Sequence, residues 1–437
     1  MRPCLQAARM LFAIVLIASS ALAQTVITVD AKQGIGSDFA DLQAAVAAAV
    51  DGDVLLVRAG VYAGLDINGK SLVVVAEEQD TPHILGASIR NLAVDQDVVL
   101  AGLRISSTAG AGLRVLNNQG PVLVEDCKIL GADGGHNAAI SEDGHPGVHI
   151  VESFGVSFAS CKLIGGSGAG FESTTLSSTG SGAEGCFATG PAKVALFGCE
   201  VFGGQGGHSN PNESFWGGNG APAIRTVSTT LDVVGCKLVG GDGGDGGEDP
   251  GAFPGGPICG NGGDGGNGIK SSNGGPVTLG TVRCSDTKIT TGKQGLGGFG
   301  CSHGAPGLDY EVPPGQPTEL GIKFIDLDVD SPLPETDPIS LHIKAPAGTA
   351  LFLGVSTSIG FQFSAPLQGV ALIDFATTQI IPIGIVGPSG HRNISLENSI
   401  AIPPGRALYF TTQIAGISAE TTSFSIGEPA SFVILDV

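Results

Sequence analysis

The stretch VSFASCKLIGG, Val156 to Gly166, decides the fold, because the chain repeats it. VLAGLRI (Val99 to Ile105), VLVEDCKIL (Val122 to Leu130), VALFGCEVFGG (Val194 to Gly204) and LDVVGCKLVGG (Leu231 to Gly241) align with it. Leu103, Cys127, Cys161, Cys199 and Cys236 then share one register, followed by Arg104, Lys128, Lys162, Glu200 and Lys237. Ile105, Ile129, Leu163, Val201 and Leu238 come next. In, out, in is the period-2 alternation of a strand. The column residue returns after 24, 34, 38 and 37 residues, so one strand regains its lateral position once per coil. This is how a β-solenoid reads, with like residues stacked roughly 4.8 Å apart. SDTKITTG, from Ser285, is the last such rung; Thr287 takes the cysteine position and Lys288 the outward one.

Working back from the column, Val26 to Val29 reads as a strand and GDVLLVRAG, KSLVVVAEE and DVVLAGLRIS as three more. Between them, Ser37 is placed to cap a helix whose apolar face is Phe39, Leu42, Ala45, Val46 and Ala49. A helix suits that place, because a solenoid otherwise ends in an unpaired apolar disc. The residues Phe39-x-x-Leu42-Gln43-x-Ala45-Val46, Gly52-Asp53 and Gly60-Val61-Tyr62 resemble the N-terminal block of right-handed parallel β-helix proteins of the pectin-lyase type, most closely pectin methylesterases. The resemblance implies an all-β right-handed parallel β-helix with an N-terminal capping helix. It does not carry over the catalysis. Gly60-Val61-Tyr62-Ala63-Gly64 lacks the Glu of that family's opening motif, Gln79-Asp80-Thr81 falls far too early for its catalytic tripeptide, and no later arginine segment follows.

From about Gly131 each coil gains an insertion after the column strand, and 15 of the 29 residues from Gly240 to Gly268 are glycine. Such triplets either pack as extended, side-chain-free layers or stay mobile. Gly262 to Ile269 nearly fits the calcium-binding β-roll nonapeptide, with Asn267 for Asp, and Gly240 to Asp245 matches its first six positions. Asp242, Asp245, Asp264 and Asn267 are therefore candidate calcium ligands, although the two copies start 22 residues apart rather than nine; no cofactor is required. His136 and His208 lie nine residues after their column cysteines, and Asp245 has the same offset on the next coil.

Composition shifts at the proline-rich segment 312–319, read as a linker between a β-helix domain (24–311) and a second unit (320–437). The latter has no cysteine and no glycine tract, and its short strands at regular spacing predict a small β-sandwich. Its ending PASFVILDV and the strand around Thr411-Thr412-Gln413 resemble a C-terminal module of many secreted proteins of environmental bacteria such as planctomycetes. That resemblance implies a surface or export accessory and names no activity.

Residues 1–23 read as a signal peptide: Arg2 and Arg9, the apolar run LFAIVLIASSALA, and cleavage after Ala23. The run is too short for a membrane span, no other stretch is long enough, and export to the surface or beyond is expected, without a transmembrane anchor. The remaining chain carries 19 basic against 41 acidic residues, which disfavours nucleic acid. Eight cysteines remain, an even number compatible with disulfides. Cys259 and Cys301, in glycine-rich loops, are the expected bridge. The column thiols are spaced either to pair or to serve as small inward hydrophobes.

The function expected from these features is non-catalytic binding of extracellular polysaccharide or surface matrix, or adhesion. The basic column Arg104, Lys128, Lys162, Lys237 and Lys288 is the candidate grip on an anionic chain. The alternative is a polysaccharide lyase or hydrolase on the same scaffold, which would need a cleft bearing two carboxylates.

Overall fold

The computed structural model describes residues 24–135, 141–170, 179–210, 215–249, 258–272, 281–398, 400, 402–418 and 423–436. The segment read as a signal peptide and His136 lie outside these. Among the described residues no helix is long and apolar enough to cross a membrane.

The chain winds as a parallel β-helix of three sheets. The first stacks Val54–Val57, Leu72–Ala76, Val98–Ala101, Val122–Glu125, Val156–Ala159, Lys193–Phe197, Thr230–Val234 and Val282–Ser285, all in parallel register. The second carries the outward column: Arg104 pairs with Lys128, then Lys162, Glu200, Lys237 and Lys288 in turn. The third runs from Leu65–Asn68 through Leu113–Leu116, Val148–Val151, Cys186–Thr189 and Ile224–Val227 to Ile269–Ser272. Tyr310–Glu311 and Thr318–Glu319 add a last parallel rung, so strand pairing continues to the end of the segment read as a linker.

The residue before the column turns the corner between the first two sheets. Gly102, Asp126, Ser160, Gly198, Gly235 and Asp286 all have φ between 47° and 72°. Glycine takes this left-handed conformation freely, and Asp better than most others. Inside, the column cysteines Cys127, Cys161, Cys199 and Cys236 are buried free thiols, as are Cys186 and Cys284. They act as small inward hydrophobes, with Cys186 taking the position of Val148 and Ile224. Thr287 adapts to the cysteine position by donating its hydroxyl to backbone carbonyls of Val233 and Ser285.

The capping helix spans Leu42–Ala48 and buries Leu42, Ala45 and Val46. Its cap is Asp41, which accepts the Ala44 N–H, and not Ser37. Backbone pairing of Asp38 and Phe39 with Thr28 and Val29 holds those residues at the sheet edge, so the helix starts only beyond them.

The C-terminal unit encloses its own core, including Ile325, Leu341, Leu353, Phe410, Ile414 and Phe432. One wall is the sheet Asp326–Val329, Ile339–Lys344 and His391–Leu396; the other is built on Ala350–Ser356, Arg406–Ile417 and Phe424–Leu435. That second wall is continuous with the coils, because Gln24–Val29 pairs parallel with Val54–Val57 and antiparallel with Arg406–Ile417. The outward residues Leu56, Val75, Val99, Leu123, Phe197 and Val234 of the first sheet pack against Ile359, Leu372, Tyr409 and Val433. Strands buried on both faces read as unbroken apolar runs such as VLLV and LVVVA.

Candidate functional site

The insertions leave the corner between the second and third sheets as outgoing and returning segments. Their hydrogen bonds recur every third residue. Gly203 and Gly206 donate to the carbonyls of Val239 and Asp242 on the next coil, and Gly240, Gly243 and Gly246 to those of Thr290, Lys293 and Leu296. This is the period of polyproline II backbone, which bonds nothing within itself and must find partners elsewhere. The second glycine of a triplet bonds across to the returning layer: Gly241 and Gly244 donate to Ala221 and Gly218, while Gly263 and Gly266 donate to Gly244 and Gly241. A Cβ on Gly241 would stand 1.9 Å from the carbonyl oxygen of Gly204, and one on Gly243 would stand 2.1 Å from that of Gly263. Both glycines of the triplet are therefore required. The insertions form a two-layered fin, stapled by Cys259–Cys301 with Cα atoms 5.8 Å apart.

Only the third residue of each triplet carries a side chain outward, and that side chain has a structural task. Asp242, Asp245, Asp264 and Asn267 each accept, through Oδ1, a backbone N–H of the next coil at 2.7 Å, from Lys293, Leu296, Ala305 and Leu308. Asp133, Asp143 and Asn219 do the same for Ser167, Ser181 and Asp264. His208 Nδ1 accepts the N–H of Asp245, which explains their shared offset from the column. The four candidate calcium ligands thus stand two on the outgoing layer and two on the returning one. Among the described residues, no group of three or more His, Cys, Asp or Glu is arranged to hold a metal.

The returning layer presents Asn219, Asp264 and Ala305 in one row. One triplet nearer the tip, Trp216, Asn261 and Ser302 form the next. Trp216, the only tryptophan in the chain, is 61% exposed.

The basic column is present on the second sheet, and Glu200 interrupts it electrostatically, at 3.4 Å from Lys162 and 3.2 Å from Lys237. Those lysines hold the Glu200 carboxyl below its ordinary range, Lys237 most strongly, and both lie over the Phe202 ring. A second ladder, on the third sheet, went unnoticed in the sequence: Arg114, His149, Phe187, Arg225 and Lys270 in successive coils. His149 stacks on Phe187 at 5.1 Å, and Arg225 lies over the same ring. Aligning the strands that follow the insertions, rather than those before, would have found it.

An acidic cleft of about 460 Å³ opens where the coils meet the C-terminal unit. Glu77, Glu78, Asp80, Glu125, Asp126, Asp326, Asp328 and Glu428 line it, and among the described lining residues none is basic. Burial pushes the Glu125 carboxyl up to about 8, with help from Asp126. Asp126 is raised to about 6 by desolvation and by Asp328. Glu428 lies well above its ordinary value, mainly through burial. This cleft could not be read in the sequence, because its walls come from segments about two to three hundred residues apart.

No protein-family description and no curated protein matches the chain. Among solved structures it is similar to pectate lyase Pel9A (13% identity, 62% of this chain and 78% of that one, TM-score 0.33). It is similar also to a rhamnogalacturonan lyase (12%, 61% and 68%, 0.31). A third is the pectin methylesterase from Aspergillus niger (11%, 68% and 90%, 0.26). At these values the likeness says nothing of activity.

Proposed function

We propose that this is an extracellular polysaccharide-binding protein that performs no chemistry on its ligand, with the fin as its contact surface. The observation that carries this reading is the regular array of outward side chains. They recur about 9 Å apart along each segment, three residues of polyproline II rise, and about 4.8 Å apart between coils. A polymer of repeating units can engage such an array at several points with little entropic penalty for ordering it, since the described glycine layers are already hydrogen-bonded to one another. Trp216 supplies an exposed aromatic face beside the amides of Asn219 and Asn261, suited to a ring that is apolar on one side and hydroxylated at its edge. The basic columns at the root of the fin extend the reading to anionic chains.

The acidic cleft favours a second reading, a glycan-cleaving enzyme, since carboxyls in unlike surroundings can divide acid and base roles. One experiment separates the two. Residues 24–437 are offered immobilised polyuronates and neutral glycans, while reducing ends and unsaturated products are followed. Binding that weakens about tenfold in Trp216→Ala, roughly one stacked aromatic contact, with no product released, supports the fin. Product formation abolished by Asp126→Asn would replace it with the enzyme.

A further inference from the structure

The cleft is also a seam, and its buried carboxyls each find their partner on the far side. Glu125, at the end of Val122–Glu125, accepts the backbone N–H of Ser431 at 2.8 Å and touches the Ser431 hydroxyl. Glu428, on the same C-terminal strand as Ser431, accepts the hydroxyl of Ser160 at a coil corner, at 2.7 Å. The clasp is reciprocal: each side lends an acid to the other's serine. A third acid, Asp97, takes a backbone hydrogen from Ile359 across the same seam.

The groups facing Glu125 are acids or weak acids; Glu428 also borders a neighbouring cleft lined by Asp286, Lys323, Lys344 and His391, in which Lys323 is paired with Asp286 at 3.2 Å. Asp126 and the Tyr409 phenol face Glu125, and Asp97 acts on the same phenol. Asp326 and the Cys199 thiol face Glu428. Asp328, Glu77, Glu78 and Asp80 complete the rim, and Arg58, the cation bonded to Glu77, also serves Asp30 at the outer edge. A buried carboxylate without a counter-charge is strongly disfavoured, whereas the neutral acid can both accept and donate.

We propose that this seam is a proton-held latch between the β-helix and the C-terminal unit, closed while Glu125 and Glu428 are protonated and loosened as they ionise. The direction follows from linkage. Glu125 holds its proton to about 8 when the seam is closed, against 4.5 for a free carboxyl. Its stabilising contribution is complete below 4.5 and lost as the pH rises through about 8. Asp126, raised to about 6, works in the same direction. The broad apolar contact above the cleft keeps the two units together, so loosening is local to the clasp.

Hydrogen exchange at the Ser431 amide, corrected for its intrinsic pH dependence and followed from pH 5.5 to 7.5 in EDTA, tests the latch. One proton released on opening makes the corrected rate climb about tenfold per pH unit. Glu125→Gln, neutral and nearly isosteric, should flatten that slope while keeping the rate low, and Glu428→Gln should reduce it at the neighbouring amides. Melting temperature should fall over the same range in the wild type and fall less in Glu125→Gln. A corrected rate and melting temperature with the same pH dependence in wild type and both variants would overturn the proposal.

Discussion

A single methyl group tests the fin. Gly241→Ala would drive a Cβ onto the Gly204 carbonyl, and both atoms belong to backbone locked by bonds on either side, so neither can yield cheaply. Overpacking of this kind costs about 1–3 kcal/mol. Asp245→Ala removes only one acceptor from an N–H near solvent, about 1 kcal/mol or less. Thermal unfolding of the two variants should therefore rank Gly241→Ala clearly below Asp245→Ala. At this scale the cysteine column was legible because identical residues in one register leave a repeating mark. The left-handed corner just before it lay in plain view as Gly102, Gly198 and Gly235, but Asp126 and Ser160 in the same place disguised it. Glu125 gave no sign at all: its burial comes from Ser431 and Tyr409, residues no local pattern connects to it.

At the scale of the element, the coil strands announced themselves by alternation, whereas the glycine tracts permitted either packed layers or mobility. What decides between them is the neighbouring coil. A triplet segment is ordered when the next coil supplies a carbonyl for its first N–H and its partner layer one for the second, as for Gly243 and Gly244. The phase of three then becomes a constraint. One glycine inserted between Asp242 and Gly243 would turn Asp245 into the layer and place a backbone-only residue where Leu296 needs its acceptor. A whole Gly-Gly-Asp triplet at the same point keeps the phase and displaces only the tip. The expected outcome is a marked drop in melting temperature for the single insertion and little change for the triplet; equal effects would argue against the period-three lattice.

For the whole molecule, the sequence suggested two units joined by a proline-rich segment, and residues 320–437 do carry short strands, with Ile359–Ser364 and His391–Leu396 among those it did not single out. Their union was hidden because a strand's second buried face looks the same whether a domain or a layer of helices covers it. The apolar runs VLLV and LVVVA recorded that both faces are covered, and not by what. Since the C-terminal unit covers that face, the chain ending at residue 319 would expose Leu56, Val75, Leu123, Phe197 and Val234 together. A contiguous patch of this kind drives association. Size-exclusion chromatography of residues 24–319 should show aggregates or oligomers, whereas residues 24–437 should run without them; a well-behaved monomeric fragment would mean that the two units are independent.

The strand Gln24–Val29 sets a schedule as well as a shape. It meets its antiparallel neighbour through Gln24 and Ala407, so one edge of the first strand waits for residues that follow much later in the sequence. Pairings this distant in sequence form slowly. Coils can stack in order as they are made, but the last seam cannot close before the final strands exist. A chain interrupted before Arg406 carries a bare edge, and closure of the seam therefore waits until Arg406–Ile417 and Phe424–Leu435 have been made.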